Sequence, residues 1–306
     1  MEEFAYNRRG FIKSSLLTGV GLAGGLWPIS ASARKPTRLT ILHTNDTHSR
    51  IDPYPEGGPN AGMGGVLARM RLIESIRSEA EHVLLFDAGD IFQGTPYFNF
   101  FKGAVEMKAM QRMGYDAATM GNHDFDEGVE NFERQMKHIR FPIVVSNYDF
   151  SKTSLAGKIK SYQIFKRGKL KVGVFGLGID PKGLIPDTLF GEVQHLDPME
   201  KAKEMVAELR AQSCQLIVCL SHLGFSYRDD KVSDSRLAKE VPGIDLIIGG
   251  HTHTFLDKPQ LVKQENGGAT LIAQVGHSGL RLGRIDFEFG SEKALPYWSA
   301  RSLEVS

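Results

Sequence analysis

The chain has 306 residues, 41% of them hydrophobic and 24% charged, an ordinary globular composition with enough apolar content for a full core. It carries 37 Lys and Arg against 36 Asp and Glu, and setting aside Glu2, Glu3, Arg8, Arg9 and Lys13 near the amino terminus leaves the two signs equal. A neutral body offers no electrostatic basis for binding nucleic acid or an anionic membrane, and both partner classes are set aside.

Residues 1–33 read as an address rather than as structure. "NRRGFIK" precedes an uncharged, moderately apolar run, "SSLLTGVGLAGGLWPIS", and then "ASA", a small-residue cleavage pattern ending at Ala33. Arg8-Arg9 with Phe11 and Lys13 resembles a twin-arginine export signal, with Asn7 where Ser or Thr is usual. Gly19, Gly21, Gly24, Gly25 and Pro28 make the run a poor membrane anchor, and no Cys lies beside the cleavage site to carry a lipid. The expectation is a cleaved leader over 1–33, one domain over 34–306 and a periplasmic location.

From there the chain alternates. Short apolar runs end in polar, chemically capable residues: "RLTILHTND", "HVLLFDAGD", "DAATMGNHD", "PIVVSN", "KVGVFGLG", "QLIVCLSH", "IDLIIGGHTH" and "ATLIAQVGH". Their length, β-branched content and Gly-rich exits predict buried strands. Between them, "GGVLARMRLIESIRSEA" and "DPMEKAKEMVAELRAQ" space apolar residues as helices do, the second from an Asp197 cap with Pro198 in the first turn. "IDPYPEGGPNAGMGG" predicts a surface loop, and "DFEFGSEKALPYWSARSLEVS" a strand, a turn and a last strand. Strands alternating with helices predict a layered α/β fold with function at the carboxyl ends of the strands. Cys214 and Cys219 lie five positions apart in one apolar run; as strand residues they would be roughly 16 Å apart on opposite faces, too far to bridge.

The polar residues at these exits form one inventory. Asp46 and His48 stand in "TNDTH", Asp90 in "DAGD", Asn122 in "GNHDFD", His222 in "SHLG", and His251 and His253 in "GGHTH". Four imidazoles, two carboxylates and an amide without thiolate suit Mn, Zn, Fe or a mixed pair. About four ligands saturate one ion, so seven predict two divalent ions sharing a ligand. Residues i and i+2 of an extended segment project to one side, roughly 6 to 7 Å apart. His251 and His253 so placed would each serve a different ion of a pair about 3.5 to 4 Å apart.

Five ordered blocks carry a resemblance: D-x-H (Asp46, His48), G-D (Gly89, Asp90), G-N-H-D (Gly121 to Asp124), H (His222) and G-H-x-H (Gly250 to His253). This arrangement resembles the calcineurin-like metallophosphoesterases. "ILHTNDTH", "FQGTPYFNFFKG", "MGYDAATMGNHDFDEG" and "IDLIIGGHTHTF" are similar to the 5'-nucleotidase branch, which includes UDP-sugar hydrolases and 2',3'-cyclic nucleotide phosphodiesterases. The resemblance spans about residues 38 to 304. It implies a four-layer αββα sandwich and hydrolysis of a phosphate monoester, a 5'-nucleotide first, by attack of a hydroxide bridging two metals. One metal would be held by Asp46, His48, Asp90 and His253, the other by Asp90, Asn122, His222 and His251. His123 and Asp126 match the family's catalytic pair, a His oriented by a carboxylate to stabilise the phosphoryl transition state and assist the leaving oxygen.

The larger family members add a carboxyl-terminal domain that grips the base, and this chain stops where the helix leading to it would begin. The alternatives are therefore another ester hydrolase on the same scaffold, or a catalytic subunit dependent on a separate chain that supplies the domain. Asp124 is expected to accept hydrogen bonds rather than bind metal, and His43 and His277 to pack or support. Phe92, Tyr97, Phe98, Phe100 and Phe101 are expected in the core more than under a nucleobase. Lys102 and Arg281 read as surface charges, and Asn147 as a strand cap.

Overall fold

A computed structural model describes residues 36–264, 268–290 and 296–306. The expected leader over 1–33 lies outside the described residues.

In chain order the elements are β1 (Thr37–Thr44), α1 (Val66–Glu79), β2 (Val83–Asp87), α2 (Pro96–Phe101), α3 (Ala104–Met113), β3 (Ala117–Ala118), α4 (Val129–Met136), β4 (Tyr148–Asp149), β5 (Tyr162–Arg167) and β6 (Leu170–Leu177). There follow α5 (Asp187–Phe190), β7 (Gln194–His195), α6 (Pro198–Ala211), β8 (Leu216–Ser221), α7 (Asp234–Glu240), β9 (Leu246–Gly249), β10 (Gln260–Lys263), β11 (Ala269–Ala273), β12 (Arg281–Phe289) and β13 (Tyr297–Glu304). One sheet runs β13-β12-β1-β2-β3 and another β10-β11-β9-β8-β6-β5, with β4 and β7 as a separate pair.

Side-chain alternation along the strands builds the layers. In β8, Leu216, Val218 and Leu220 face one way, into a core shared with Leu39 and Ile41 of β1 and Leu84 and Phe86 of β2. That apolar layer joins sheet to sheet. Ile217 and Cys219 face the other way, onto Ala202, Val206 and Leu209 of α6 and Leu237 and Ala238 of α7. On the opposite side, Leu42 of β1 and Leu85 of β2 pack on Ile73 and Ile76 of α1 and Met107 and Met110 of α3. Helix, sheet, sheet, helix is the four-layer order expected.

Six of the eight expected strands appear as β1, β2, β6, β8, β9 and β11, and "DAATMGNHD" shrinks to the two-residue β3. "PIVVSN" makes only isolated bridges, Ile143 with Ala118 and Val144 with Lys160. Its tail is held elsewhere: Asn147 exchanges both amide functions with the backbone of Gly178, at 2.7 and 2.8 Å. Both expected helices form, and Asp197 accepts the N–H groups of Met199 and Glu200 at 2.7 and 3.1 Å. The expectation of opposite faces for the cysteines fails, because Cys214 precedes β8 and lies with Cys219 in the same helix-facing core; both are free and buried. Among the described residues no helix is long and apolar enough to cross a membrane.

Candidate metal centre

β1, β2 and β3 run parallel in one sheet, and β8 and β9 in the other. Their carboxyl ends meet, bringing all seven expected ligands together. Asp46 and His48 follow β1, Asp90 follows β2, Asn122 follows β3, His222 follows β8, and His251 and His253 follow β9. Two groups form whose donor atoms lie within 4.8 Å of one another, Asp46 with His48 and His253, and Asp90 with His222 and His251. Asn122 joins the second through Oδ1, 2.9 Å from His251 Nδ1. Asp90 stands between the groups, with Oδ2 at 3.2 Å from His222 Nε2 and 3.8 Å from His48 Nε2.

The imidazoles are oriented by their far nitrogens. His222 Nδ1 donates to the Ala88 carbonyl at 2.7 Å, so its Nε2 faces Asp90 and Asp46. That Nε2 is buried with no hydrogen-bond partner. His48 Nδ1 lies 3.3 Å from the Phe92 carbonyl, which turns its Nε2 to within 2.9 Å of His253 Nε2. In the metal-free protein a proton on His222 Nε2 stands beside the two carboxylates, where a divalent cation would take its place. Burial disfavours charge on His222, yet Asp90 and Asp46 override it and raise its pKa to about 10. Burial opposes ionisation of Asp90, but His222 and His48 hold its carboxyl well below the usual range. A buried His222 Nε2 without a hydrogen-bond partner, and oxygen and nitrogen donors gathered around it, fit divalent cations.

The backbone departs from the extended geometry expected of His251 and His253, and the D-x-H pair shares the departure. Asp46 (φ 48°), His48 (44°), Asp90 (55°), His251 (68°) and His253 (53°) all occupy the left-handed region. These are turns, and the side chains converge because the chain curls and not because a strand alternates. Such conformations cost of order 1–3 kcal/mol each and persist where the surroundings over-determine them. The Gly-Gly exit of β9 is required by close approach: a Cβ on Gly250 would lie 2.8 Å from His222 Nδ1 and 3.0 Å from the Ala88 carbonyl oxygen.

Beside the two groups, His123 Nδ1 lies 2.9 Å from Asp126 Oδ2, and its ring stands edge-on to His48 at 5.4 Å. The Asp126 hydrogen bond raises the His123 pKa against burial. Asp124 stands outside both donor groups and accepts four backbone N–H groups: Ile91 and Phe92 on Oδ1 at 3.0 and 3.2 Å, Asp90 and Gly121 on Oδ2 at 3.1 and 2.8 Å. His277 lies tilted against His253 with ring centres 5.0 Å apart, whereas His43 is buried against Gly283. Of the aromatic cluster, Phe92 and Phe98 are core, while Phe100 (79%) and Phe101 (51%) are exposed. Lys102 and Arg281 pair with Glu127 and Asp257. Two residues escaped the sequence reading, Asn45 and Gln274, buried amides that hydrogen-bond the ligand-bearing turns. Their signal was position: each stands at the exit of an apolar run, in "TND" and "AQVGH".

A model of the calcineurin-like phosphoesterase family matches residues 39–255. The snake venom 5'-nucleotidase of Gloydius brevicauda is 33% identical over 291 residues, 88% of this chain and 48% of that protein. The trifunctional nucleotide phosphoesterase protein YfkN of Bacillus subtilis (strain 168) is 34% identical over 300 residues, 87% of this chain and 19% of that protein. The crystal structure of a 5'-nucleotidase precursor from Thermus thermophilus matches with a TM-score of 0.79 at 33% identity, over 88% of this chain and 55% of that one. The chain thus spans about half the length of the venom relative, and the comparisons lend no support to a separate partner chain. Converging ligand turns, a four-layer sandwich and a family match over most of the chain lead to one conclusion: it belongs to the calcineurin-like phosphoesterases, a family of metal-dependent hydrolases.

Proposed function

We propose that this chain hydrolyses a phosphate monoester, a 5'-nucleotide in the first instance, at two divalent ions held by Asp46, His48, Asp90 and His253 and by Asp90, Asn122, His222 and His251. The observation that carries the reading is the position of Asp90 Oδ2 between two ligand groups. When bound, two such ions supply a water of lowered pKa and positive charge for the phosphoryl oxygens. The protein's own residues do the rest. Asp90 Oδ1 accepts the His123 N–H at 2.8 Å, fixing the His123 backbone to the shared ligand. With Nδ1 committed to Asp126, His123 presents Nε2 at the mouth of the site, where its proton is available to the departing ester oxygen. No side chain needs to act as a nucleophile.

The similarity to a 5'-nucleotidase and to a nucleotide phosphoesterase supports nucleotides as the substrate class. We further propose residues 1–33 as a cleaved leader that delivers the chain to the periplasm; an amino terminus at Arg34 on the exported protein is the expected result. The activity is tested on the full chain with added Mn by phosphate release from AMP and from an aryl phosphate, and by ring opening of a 2',3'-cyclic nucleotide to the nucleoside monophosphate. Release from AMP and the aryl ester is expected; no turnover of any of the three, with Mn, Zn or Fe, would sink the reading.

A further inference from the structure

Asn45 and Gln274 lie outside the ligand set, yet both are buried, at 1% and 0% exposure. Asn45 leaves β1 in the five-stranded sheet, and Gln274 leaves β11 in the six-stranded one. Asn45 Nδ2 donates to Asp46 Oδ2 and to the Gly276 carbonyl, each at 2.6 Å, and its Oδ1 accepts the Val275 N–H at 2.9 Å. Gln274 Nε2 donates to the Gly250 carbonyl at 2.5 Å, while its Oε1 accepts the Thr254 N–H at 2.6 Å and the Thr252 hydroxyl at 3.1 Å. Thr252 Oγ1 in turn accepts the Phe225 N–H at 3.0 Å, three residues past His222.

These bonds form a continuous girdle. It runs from Asp46 through Asn45 to the 274–276 segment, through Gln274 to the turn that carries His251 and His253, and through Thr252 to the loop after His222. It reaches Asp46 itself and the segments that carry His222, His251 and His253, so four of the seven ligands, from both sheets and both metal groups, are next to it. It also answers a need already seen: Asp46, His251 and His253 hold left-handed backbone angles that something must enforce. The Gly250 carbonyl and the Thr254 N–H, both bonded to Gln274, bracket the turn that carries His251 and His253.

We propose that Asn45 and Gln274 are positioning residues that set both metal positions at once, tying the ligands of one sheet to those of the other. The proposal rests on the ligand assignment above. Removing either amide frees the same girdle, so both ions should be weakened together, by about 10-fold to 100-fold, the usual effect of losing a group that orients metal ligands.

The test is a calorimetric Mn titration of the metal-stripped full chain, comparing wild type, Asn45→Ala, Gln274→Ala and Ile272→Ala. Ile272 is a fully buried β11 residue whose truncation lowers stability without touching the girdle. Expected are two Mn in the wild type, both bound at least 10-fold more weakly in the two amide variants, and near-normal affinities in Ile272→Ala. If Gln274→Ala does not fold, Gln274→Glu keeps both acceptor bonds and loses the donor to Gly250, and a weakening of both sites is expected there too. Wild-type affinities in the amide variants, or an equal loss in Ile272→Ala, would overturn the proposal. Fewer than two Mn in the wild type would overturn the ligand assignment and this inference with it.

Discussion

At the scale of single residues, neighbouring positions in one turn have different jobs, and substitution separates them. Asp90 has one oxygen between the two ligand groups and the other on the His123 backbone. Asp90→Asn halves the charge that the two sites hold between them and puts an amide nitrogen where a shared oxygen is needed. The expected result is loss of at least one Mn per chain by elemental analysis, with activity down by about 10³ or more. His123→Asn leaves every ligand in place. Two Mn should remain, with kcat lower by about 10² to 10⁴ on an alkyl phosphate and by much less on 4-nitrophenyl phosphate, whose leaving oxygen needs no proton. Equal losses on both esters would remove His123 from the role of acid. Asp124, two residues from Asn122, answers to a third logic. Burial and the Asp90 charge push its carboxyl up, the Gly121 N–H pulls it back, and its four N–H contacts fix the Asp90 loop against the Gly121 turn.

At the scale of elements, α7 shows a helix start under electrostatic tension. Ser233 caps it by accepting the Arg236 N–H, and Asp234 opens the first turn, a position where the helix dipole favours a carboxylate. Yet Asp234 is wholly buried, so close under β9 that a Cβ on Gly249 would collide with it. Burial lifts its pKa to about 8, partly offset by the Ser221 hydroxyl. Since the unfolded carboxyl ionises near 3.8, the folded chain retains a proton that the unfolded chain releases. Stability attributable to this group is therefore complete below about pH 4 and lost as pH rises toward 8. Asp234→Asn, neutral at every pH, should flatten that slope, and at pH 8 it should be more stable than the wild type by about 1–3 kcal/mol, the cost of a buried polar group left poorly paired. Denaturant unfolding at pH 5 and pH 8 measures both slopes, and parallel slopes would refute the assignment. The same scale shows what a sequence can reveal. Buried strands of six or eight residues with β-branched runs, such as β1 and β8, were legible, as was α6 from Asp197 and Pro198. β5 and β10 were not, because Tyr162–Arg167 and Gln260–Lys263 are half-exposed and mix polar with apolar residues. The residue types that meet at the strand exits were legible. Their geometry was not: Asp46, His48, Asp90, His251 and His253 take left-handed angles in turns, and some of those turns are tied to segments far away in the chain, as where Asn45 Oδ1 accepts the Val275 N–H and Gln274 Nε2 donates to the Gly250 carbonyl.

At the scale of the whole molecule, the site is also a seam. The two sheets share an apolar core, but at their carboxyl ends Asp46, His48, Asp90 and Asn122 from one sheet face His222, His251 and His253 from the other across a polar gap. Two buried carboxylates, Asp46 and Asp90, crowd that gap among the imidazole nitrogens, and divalent cations would offset their charge. Metal binding should then act as folding energy as well as chemistry. By mass action, an ion at 100 times its Kd stabilises the folded chain by about 2.7 kcal/mol, so two sites contribute roughly twice that. At about 2–4 °C per kcal/mol for chains of this general size, saturating Mn should raise Tm over the chelated protein by on the order of 10 °C. Asp90→Asn should show a much smaller rise, because one substitution touches both groups, whereas His123→Asn should show the full one. A Tm indifferent to chelation would mean that the ligand turns are held by their hydrogen bonds alone. A full rise in Asp90→Asn would mean that its carboxylate is not shared between the sites. The shift thus reports on the cross-link between sheets without reference to catalysis, and it separates a misassigned ligand from an idle acid.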